Sequence, residues 1–236
     1  MLKRRQLFLS CEHGGNRVPR RYQMLFQGLE EQLDSHRGFD PGALFLARLL
    51  ARALHAPLEA AETTRLLVDL NRSRHNAKLF SAAVRQLPVA EKEQLLANYY
   101  HPYRQAVSDR ISDRIAAGAQ VVHLSVHSFT PILHGQVRNA ELGLLYDPAR
   151  VQERLFCQDW RLLLKQQQPT LRVRCNYPYR GTADGLVRVL RGQFSPQDYL
   201  GIELEVNQGL LADKKSFPAE VQTALLETLQ ELFAAA

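Results

Sequence analysis

The chain has 236 residues, 45% of them hydrophobic and 23% charged, which suits one large soluble α/β domain over residues 1–236 with a substantial core. Its net charge of +6 comes from scattered Lys and Arg, with no dense basic block beyond residues 3–5 and no interleaved aromatics. The composition therefore argues against a nucleic-acid surface and for a bias toward small anionic substrates. Three cysteines, Cys11, Cys157 and Cys175, have no CxxC spacing, which excludes a thiolate zinc finger and a disulfide framework and fits a reducing cytoplasm.

Met1-Leu2-Lys3-Arg4-Arg5 followed by Leu7-Phe8-Leu9 mimics a signal peptide, but an apolar core of about four residues falls short of the roughly seven or more required. No window is long enough to span a membrane. Gln6–Leu9 instead reads as a short buried strand. It runs into Ser10-Cys11-Glu12-His13-Gly14-Gly15-Asn16-Arg17-Val18-Pro19, and the spacing of Tyr22, Leu25, Phe26, Leu29 and Leu33 predicts a helix after Pro19. Glu12 and His13 thus fall where a strand ends and a helix is about to begin, the edge at which α/β proteins bind ligands. There a histidine caps a turn, acts as a base or binds a metal, and the stretch alone leaves these three open.

Asp40-Pro41 looks like an N-cap followed by proline at the first helical position, opening a helix through Leu44, Leu46, Leu49, Leu50 and Leu54. Leu66–Leu70 reads as a short buried strand ending in Asn71-Arg72, either a turn with a solvated arginine or a fork that grips a carboxylate. Residues 75–90 look irregular. Glu91–Ala117 predicts a long helix interrupted at His101-Pro102, because proline lacks the amide a helix interior needs.

In Gln120–Ser128, Val122, Leu124 and Val126 alternate with His123 and Ser125, and His127 occupies the end of that strand. Glu141–Tyr146 is another expected strand, preceded by a polar loop carrying Arg138. Val151–Gln166 is an expected helix, and Leu171–Cys175 a strand leading into the turn-rich loop Asn176–Gly181, suited to lining a pocket. Tyr199–Asn207 alternates again, with Ile202, Leu204 and Val206 on one face and Glu203 and Glu205 on the other. Pro218–Phe233 closes the chain as a helix. Strands alternating with helices imply three α/β/α layers around a mostly parallel central sheet.

In such a sheet His13, His127, Asn71-Arg72 and Glu205 gather at one edge. Two neutral imidazoles and a carboxylate are a usual ligand set for catalytic zinc, a further carboxylate can take a proton from water, and an arginine can hold an anion.

Four stretches, Cys11–Pro19, Asp69-Leu70-Asn71-Arg72, Ser125–Pro131 and Glu203–Asn207, together resemble the N-formylglutamate amidohydrolase family, related in fold to the zinc carboxypeptidases and aspartoacylases. The resemblance runs from about residue 6 to residue 210 and implies a zinc-exopeptidase-like fold. It also implies a zinc-dependent amidohydrolase that removes an N-acyl group from an acidic amino acid. By position it makes His13 and His127 zinc ligands and Glu205 the general base; Glu203, two residues earlier on the same face of the strand, is the rival base. It makes Asn71 and Arg72 the groups that bind the substrate or polarise its carbonyl, and Arg138 a grip for a second carboxylate. The loop Asn176–Gly185, with Tyr179, resembles the family's pocket loop. One position departs from the related carboxypeptidases: three residues after the first histidine stands Asn16, a poor zinc ligand. The third ligand is then expected from Asp40 first and Glu12 second. If that place stays empty, the fold serves as a non-catalytic binding module.

Overall fold

The computed structural model describes residues 3–213 and 215–234. Strands β1 (Arg5–Cys11), β2 (Leu58–Ala60), β3 (Gln120–Phe129), β6 (Leu142–Leu145), β7 (Val173–Cys175) and β8 (Tyr199–Asn207) form one sheet, while β4 (Ile132–Leu133) and β5 (Gln136–Val137) make a separate hairpin. The helices are α1 (Glu30–Leu33), α2 (Ala43–Ala53), α3 (Ala82–Arg85), α4 (Val89–Leu95), α5 (His101–Ala116), α6 (Val151–Gln167), α7 (Leu186–Gln193) and α8 (Ala219–Ala234).

Strand order is β2-β1-β3-β8-β6-β7. The first four run parallel, and β6 meets β8 antiparallel while pairing parallel with β7. The expected mostly parallel, mixed sheet between helix layers is therefore present. The reversal of β6 brings its leading loop, with Arg138, to the edge where β1, β3 and β8 end.

Alternation along the strands sorts the two faces. Leu7 and Leu9 of β1, Val122, Leu124 and Val126 of β3, and Leu200, Ile202, Leu204 and Val206 of β8 join one core with α2, α6 and α8. On the other face, Phe8, Val121 and Tyr199 pack against Val107 and Ile111 of α5 and Leu186 and Leu190 of α7. That second face turns polar toward the strand ends: Ser10, His123, Ser125, His127, Glu203 and Glu205 are all buried there. Burying six such groups is costly unless they satisfy one another, so the row depends on hydrogen bonds and charge pairs made at this edge.

The expected strand at Leu66–Leu70 is a run of turns. Its apolar residues point two ways, Leu67 into a small cluster with Tyr22, Phe26, Val84 and Leu95, Val68 and Leu70 into the core under α5. A short apolar run has no period to separate strand from buried turn, and here Leu58–Ala60 pairs with β1 instead. Asn71-Arg72 accordingly follows a turn rather than a strand. The expected helix after Pro19 is a 3-10 segment, Arg20–Phe26, separated from α1 by Gly28 with φ of 78°. Asp40 does not cap α2 with its side chain; Gly42 takes the N-cap position at φ 81°. The α4–α5 helix is continuous across the proline through a π turn over Leu96–Tyr100. α7 and the β4–β5 hairpin are elements that the sequence pattern missed.

A buried ion pair fixes the pocket loop to this frame. Arg191 of α7 meets both oxygens of Glu153 of α6 at 3.1 Å and donates to the carbonyls of Gly181 and Gly201. Removing either partner would leave an uncompensated buried charge.

Candidate active site

β1 and β3 are in register, with Ser10 beside Ser125, so Glu12-His13, just past the end of β1, and His127, near the end of β3, emerge side by side. The two imidazoles lie 5.1 Å apart between centroids. The loop before α2 swings Asp40 between them. Asp40 Oδ2 is 2.8 Å from His127 Nδ1 and 3.3 Å from His13 Nδ1. Among the described residues, His13, Asp40 and His127 are the group whose ligand atoms converge for a metal ion, all within 4.8 Å of one another.

The far nitrogen of each ring is held by a carboxylate. His13 Nε2 donates to Asp69 Oδ1 at 2.7 Å, and His127 Nε2 lies 3.1 Å from Glu12 Oε2. Both Nδ1 atoms are thereby turned toward Asp40, as a carboxylate behind a ligating histidine fixes ring orientation and tautomer. Glu12 is itself pinned, accepting from Ser125 Oγ at 2.6 Å and Tyr103 OH at 3.0 Å. It stands behind His127 rather than among the converging atoms. Asn16 lies outside the cluster, its amide donating to Asp34 at 2.8 Å.

One arginine that sequence reasoning missed completes the arrangement. Arg65 bonds Asp40 Oδ1 at 3.2 Å and Asp69 Oδ2 at 2.7 Å, clamping the carboxylates on either side of His13. It lay hidden because it precedes an apolar run instead of following one.

These groups set each other's charge. Burial pushes Asp40 up, yet His13, His127 and Arg65 hold it well below the usual carboxylate range. Asp69 is likewise raised by burial and lowered further by Arg65 and His13. Burial raises Glu12, but the hydrogen bond and charge of His127 together with hydrogen bonds from Ser10 and Ser125 outweigh it and keep the carboxylate ionised. Burial works against a charged imidazole at His127, but its bonds to Asp40 and Glu12 hold its pKa well above the ordinary value. Three ionised carboxylates against the Arg65 guanidinium leave surplus negative charge around two imidazoles, an environment that fits a divalent cation.

Glu205 sits beside His127 in register on a central strand and is buried. Burial, reinforced by Asp40 and Glu203 though opposed by His127, raises its pKa to about 8. Its Oε2 has no hydrogen-bond partner among the described residues. Such an oxygen, next to a histidine cluster, departs from the rule that buried polar atoms are hydrogen-bonded. Glu203 is also buried and raised by desolvation, one alternation deeper. Deeper still, His123 is lowered to about 4 by burial and bridges Ser10 Oγ at 2.7 Å and Tyr199 OH at 2.8 Å, so it is a neutral core histidine.

Glu205 faces Gly143 across the β8–β6 pair. A Cβ at Gly143 would lie 2.0 Å from the Tyr177 carbonyl oxygen and 3.2 Å from Glu205 Cβ. Gly143→Ala is therefore expected to cost about 1–3 kcal/mol, the usual range for overpacking, read as a lowered melting temperature. An unchanged melt would mean that the pocket loop moves freely away from β6.

The remaining expected residues ring the cluster. Asn71 Oδ1 accepts from the Leu186 amide at 2.7 Å, holding the start of α7, and its nitrogen lies 3.4 Å from His127 Nε2. Arg72 Nη1 donates to the Asp184 carbonyl at 3.0 Å, while its Nε is 3.9 Å from Asp69 Oδ2 and has no hydrogen-bond partner among the described residues. Arg138 stacks on Tyr179 at 4.9 Å and Phe129 at 5.8 Å, outside the histidine cluster.

The fold and the site together define a mixed α/β protein with a histidine–carboxylate centre at the carboxyl edge of its sheet. The chain belongs to the N-formylglutamate amidohydrolase family, whose model matches residues 5–212. It is similar to a gene product from Agrobacterium tumefaciens at 32% identity and a TM-score of 0.78, covering 98% of this chain and 89% of that one. It is also similar in fold to the N-formylglutamate amidohydrolase of Ralstonia eutropha, at 18% identity and a TM-score of 0.65 over 99% of this chain and 93% of that one. No curated protein matches the chain. Family membership supports an amidohydrolase activity. Among the described residues no helix is long and apolar enough to cross a membrane.

Proposed function

We propose that the protein is a zinc-dependent amidohydrolase that cleaves an N-acyl group of the formyl type from an acidic amino acid. The observation that carries this reading is the convergence of His13, Asp40 and His127 beside the unpaired oxygen of Glu205. His13 and His127 would hold the ion through Nδ1 and Asp40 through Oδ2. A zinc ion so held supplies Lewis-acid polarisation of the amide carbonyl and acidifies water.

Glu205 would take the proton from the attacking water at Oε2 and return it to the leaving nitrogen. In the metal-free protein burial raises this carboxyl to about 8, so it holds a proton at neutral pH, and a cation bound beside it would favour the ionised form that accepts one. Arg72, whose side chain is part-exposed, would pair the substrate's carboxylate. Asn71 stands beside it, and Arg138, braced on Tyr179, would meet a second carboxylate. A basic chain of net charge +6 favours such anions before any contact is made.

The test is hydrolysis of N-formyl, N-acetyl and N-succinyl derivatives of acidic and neutral amino acids by zinc-loaded and chelator-treated protein. Turnover should require the metal and favour acidic substrates. Metal-independent turnover, or none on any acylated amino acid, would sink the reading. Arg72→Lys keeps the charge and loses the planar fork, so KM for the acidic substrate should rise roughly tenfold, equivalent to about 1.4 kcal/mol. Indifference of every active substrate to this change would make Arg72 structural.

A further inference from the structure

Three side chains of α5 and the residue before it reach the site without belonging to it. Tyr100, Tyr103 and Arg104 are spaced i, i+3 and i+4, one face of a helix. Tyr100 OH donates to the Arg72 carbonyl at 2.8 Å. Arg104 Nη1 donates to the Leu70 carbonyl at 2.9 Å and reaches that of Arg72 at 3.3 Å, its guanidinium lying 5.0 Å from the Tyr100 ring centroid. Tyr103 OH donates to Glu12 Oε1 at 3.0 Å, and Glu12 Oε2 is the atom facing His127 Nε2 at 3.1 Å.

The local backbone explains how one face serves both ends. The π turn at Leu96–Tyr100 shifts the helix phase ahead of Pro102, which has no amide to give. Leu95 is buried just before the turn, Leu96 and Tyr100 at its two ends, and Tyr103, Val107 and Ile111 after it. Such turns inside a helix recur at functional sites. The stretch carrying Asn71 and Arg72 is not a strand, so no sheet ladder holds it. Its carbonyls are held by Tyr100 and Arg104 instead.

We infer that this face is a positioning device with two separable branches. Through Glu12, Tyr103 holds His127 with Nδ1 turned toward the metal position. Through the Leu70 and Arg72 carbonyls, Tyr100 and Arg104 hold the Arg72 guanidinium where an anionic substrate arrives. None of the three touches substrate or metal. The inference rests on the function proposed above and adds the residues that set metal affinity separately from substrate affinity.

Tyr103→Phe and Tyr100→Phe each remove one hydroxyl and keep the packed ring. Two quantities are measured on each: zinc affinity, by competition with a chelator, and KM and kcat of the zinc-saturated enzyme for its best acidic N-acyl substrate. Tyr103→Phe should weaken zinc binding by about tenfold or more, the scale on which outer hydrogen-bond partners act, and leave KM near wild type. Tyr100→Phe should leave zinc affinity at wild type and raise KM severalfold with kcat largely kept. Glu12→Gln should follow Tyr103→Phe, and Arg104→Lys should follow Tyr100→Phe, giving each branch a second variant if one folds poorly.

Variants that shift both quantities together, or neither, would reduce the face to ordinary packing and overturn the inference while leaving the function intact. A wild-type protein that takes up no zinc and hydrolyses no N-acyl amino acid would sink the function itself, and this inference with it.

Discussion

Glu205→Gln is expected to keep its metal and its fold and to lose at least about 10²-fold in turnover, the usual scale of general acid–base catalysis. Gln preserves the size of the side chain and removes only its ability to take a proton. Atomic absorption and a thermal melt check the first half, steady-state kinetics the second. Loss of metal together with activity would make Glu205 a ligand. Glu203→Gln is the control: alternation puts it on the same face one residue pair deeper, about 7 Å further from the strand's end, and it should keep substantial activity. A dead Glu203→Gln beside an active Glu205→Gln would reverse the assignment.

The same substitution has a signature in stability. The carboxyl of Glu205 is raised by burial from 4.5 to about 8, so the folded chain holds its proton over a range in which the unfolded chain has lost it. That contribution is fully present below about pH 4.5 and is lost as pH rises toward 8. At about 1.4 kcal/mol per unit the loss amounts to a few kcal/mol. Chelator-treated Glu205→Gln should therefore match wild type in acid and melt above it at pH 8.5. Subtracting one curve from the other removes the titrations shared by both, including that of His127. Parallel curves across the range would show that Glu205 titrates as an ordinary carboxyl.

His127→Ala and His13→Ala should each lose most of the bound zinc, and with it essentially all turnover. Each removes one of three converging donors and takes one partner from a buried carboxylate, Glu12 in the first case and Asp69 in the second, although Ser125 and Tyr103 still hold Glu12 and Arg65 still holds Asp69. Losing a hydrogen bond to a buried charged group costs about 1.5–3 kcal/mol, so both variants should also be less stable than wild type. Zinc affinity of the wild-type protein should rise with pH, because His127 must give up the proton that Asp40 and Glu12 help it to hold. Unchanged metal content in both variants would remove the basis of the proposed mechanism.

Much of this arrangement could be read along the chain. β3 and β8 show strict alternation, and the structure keeps it, with the apolar set in one core and His123, Ser125, His127, Glu203 and Glu205 on the other face. Period two is a property of the extended backbone itself and survives any tertiary context. Leu66–Leu70 misled for the opposite reason: an apolar run without alternation states only that it is buried. Its place as a strand went to Leu58–Ala60, a half-buried edge segment too short and too polar to stand out.

By itself the sequence determined the alternating order of strands and helices, the family resemblance, and His13, His127 and Glu205 at strand ends. It also offered Asp40, one step before a proline, both as a cap and, through the resemblance, as the first choice for the third ligand. Tertiary structure alone decided that Asp40 turns away from α2 to stand between two histidines. It likewise decided that Arg65 clamps Asp40 to Asp69, and that Tyr103, ninety-one positions from Glu12, holds that carboxylate against His127. The division has one physical cause. Backbone periodicity and capping are set by neighbours a few residues away, whereas which side chains meet at the sheet edge depends on the strand order β2-β1-β3-β8-β6-β7 and the reversal of β6, and these arise from the packing of the whole chain.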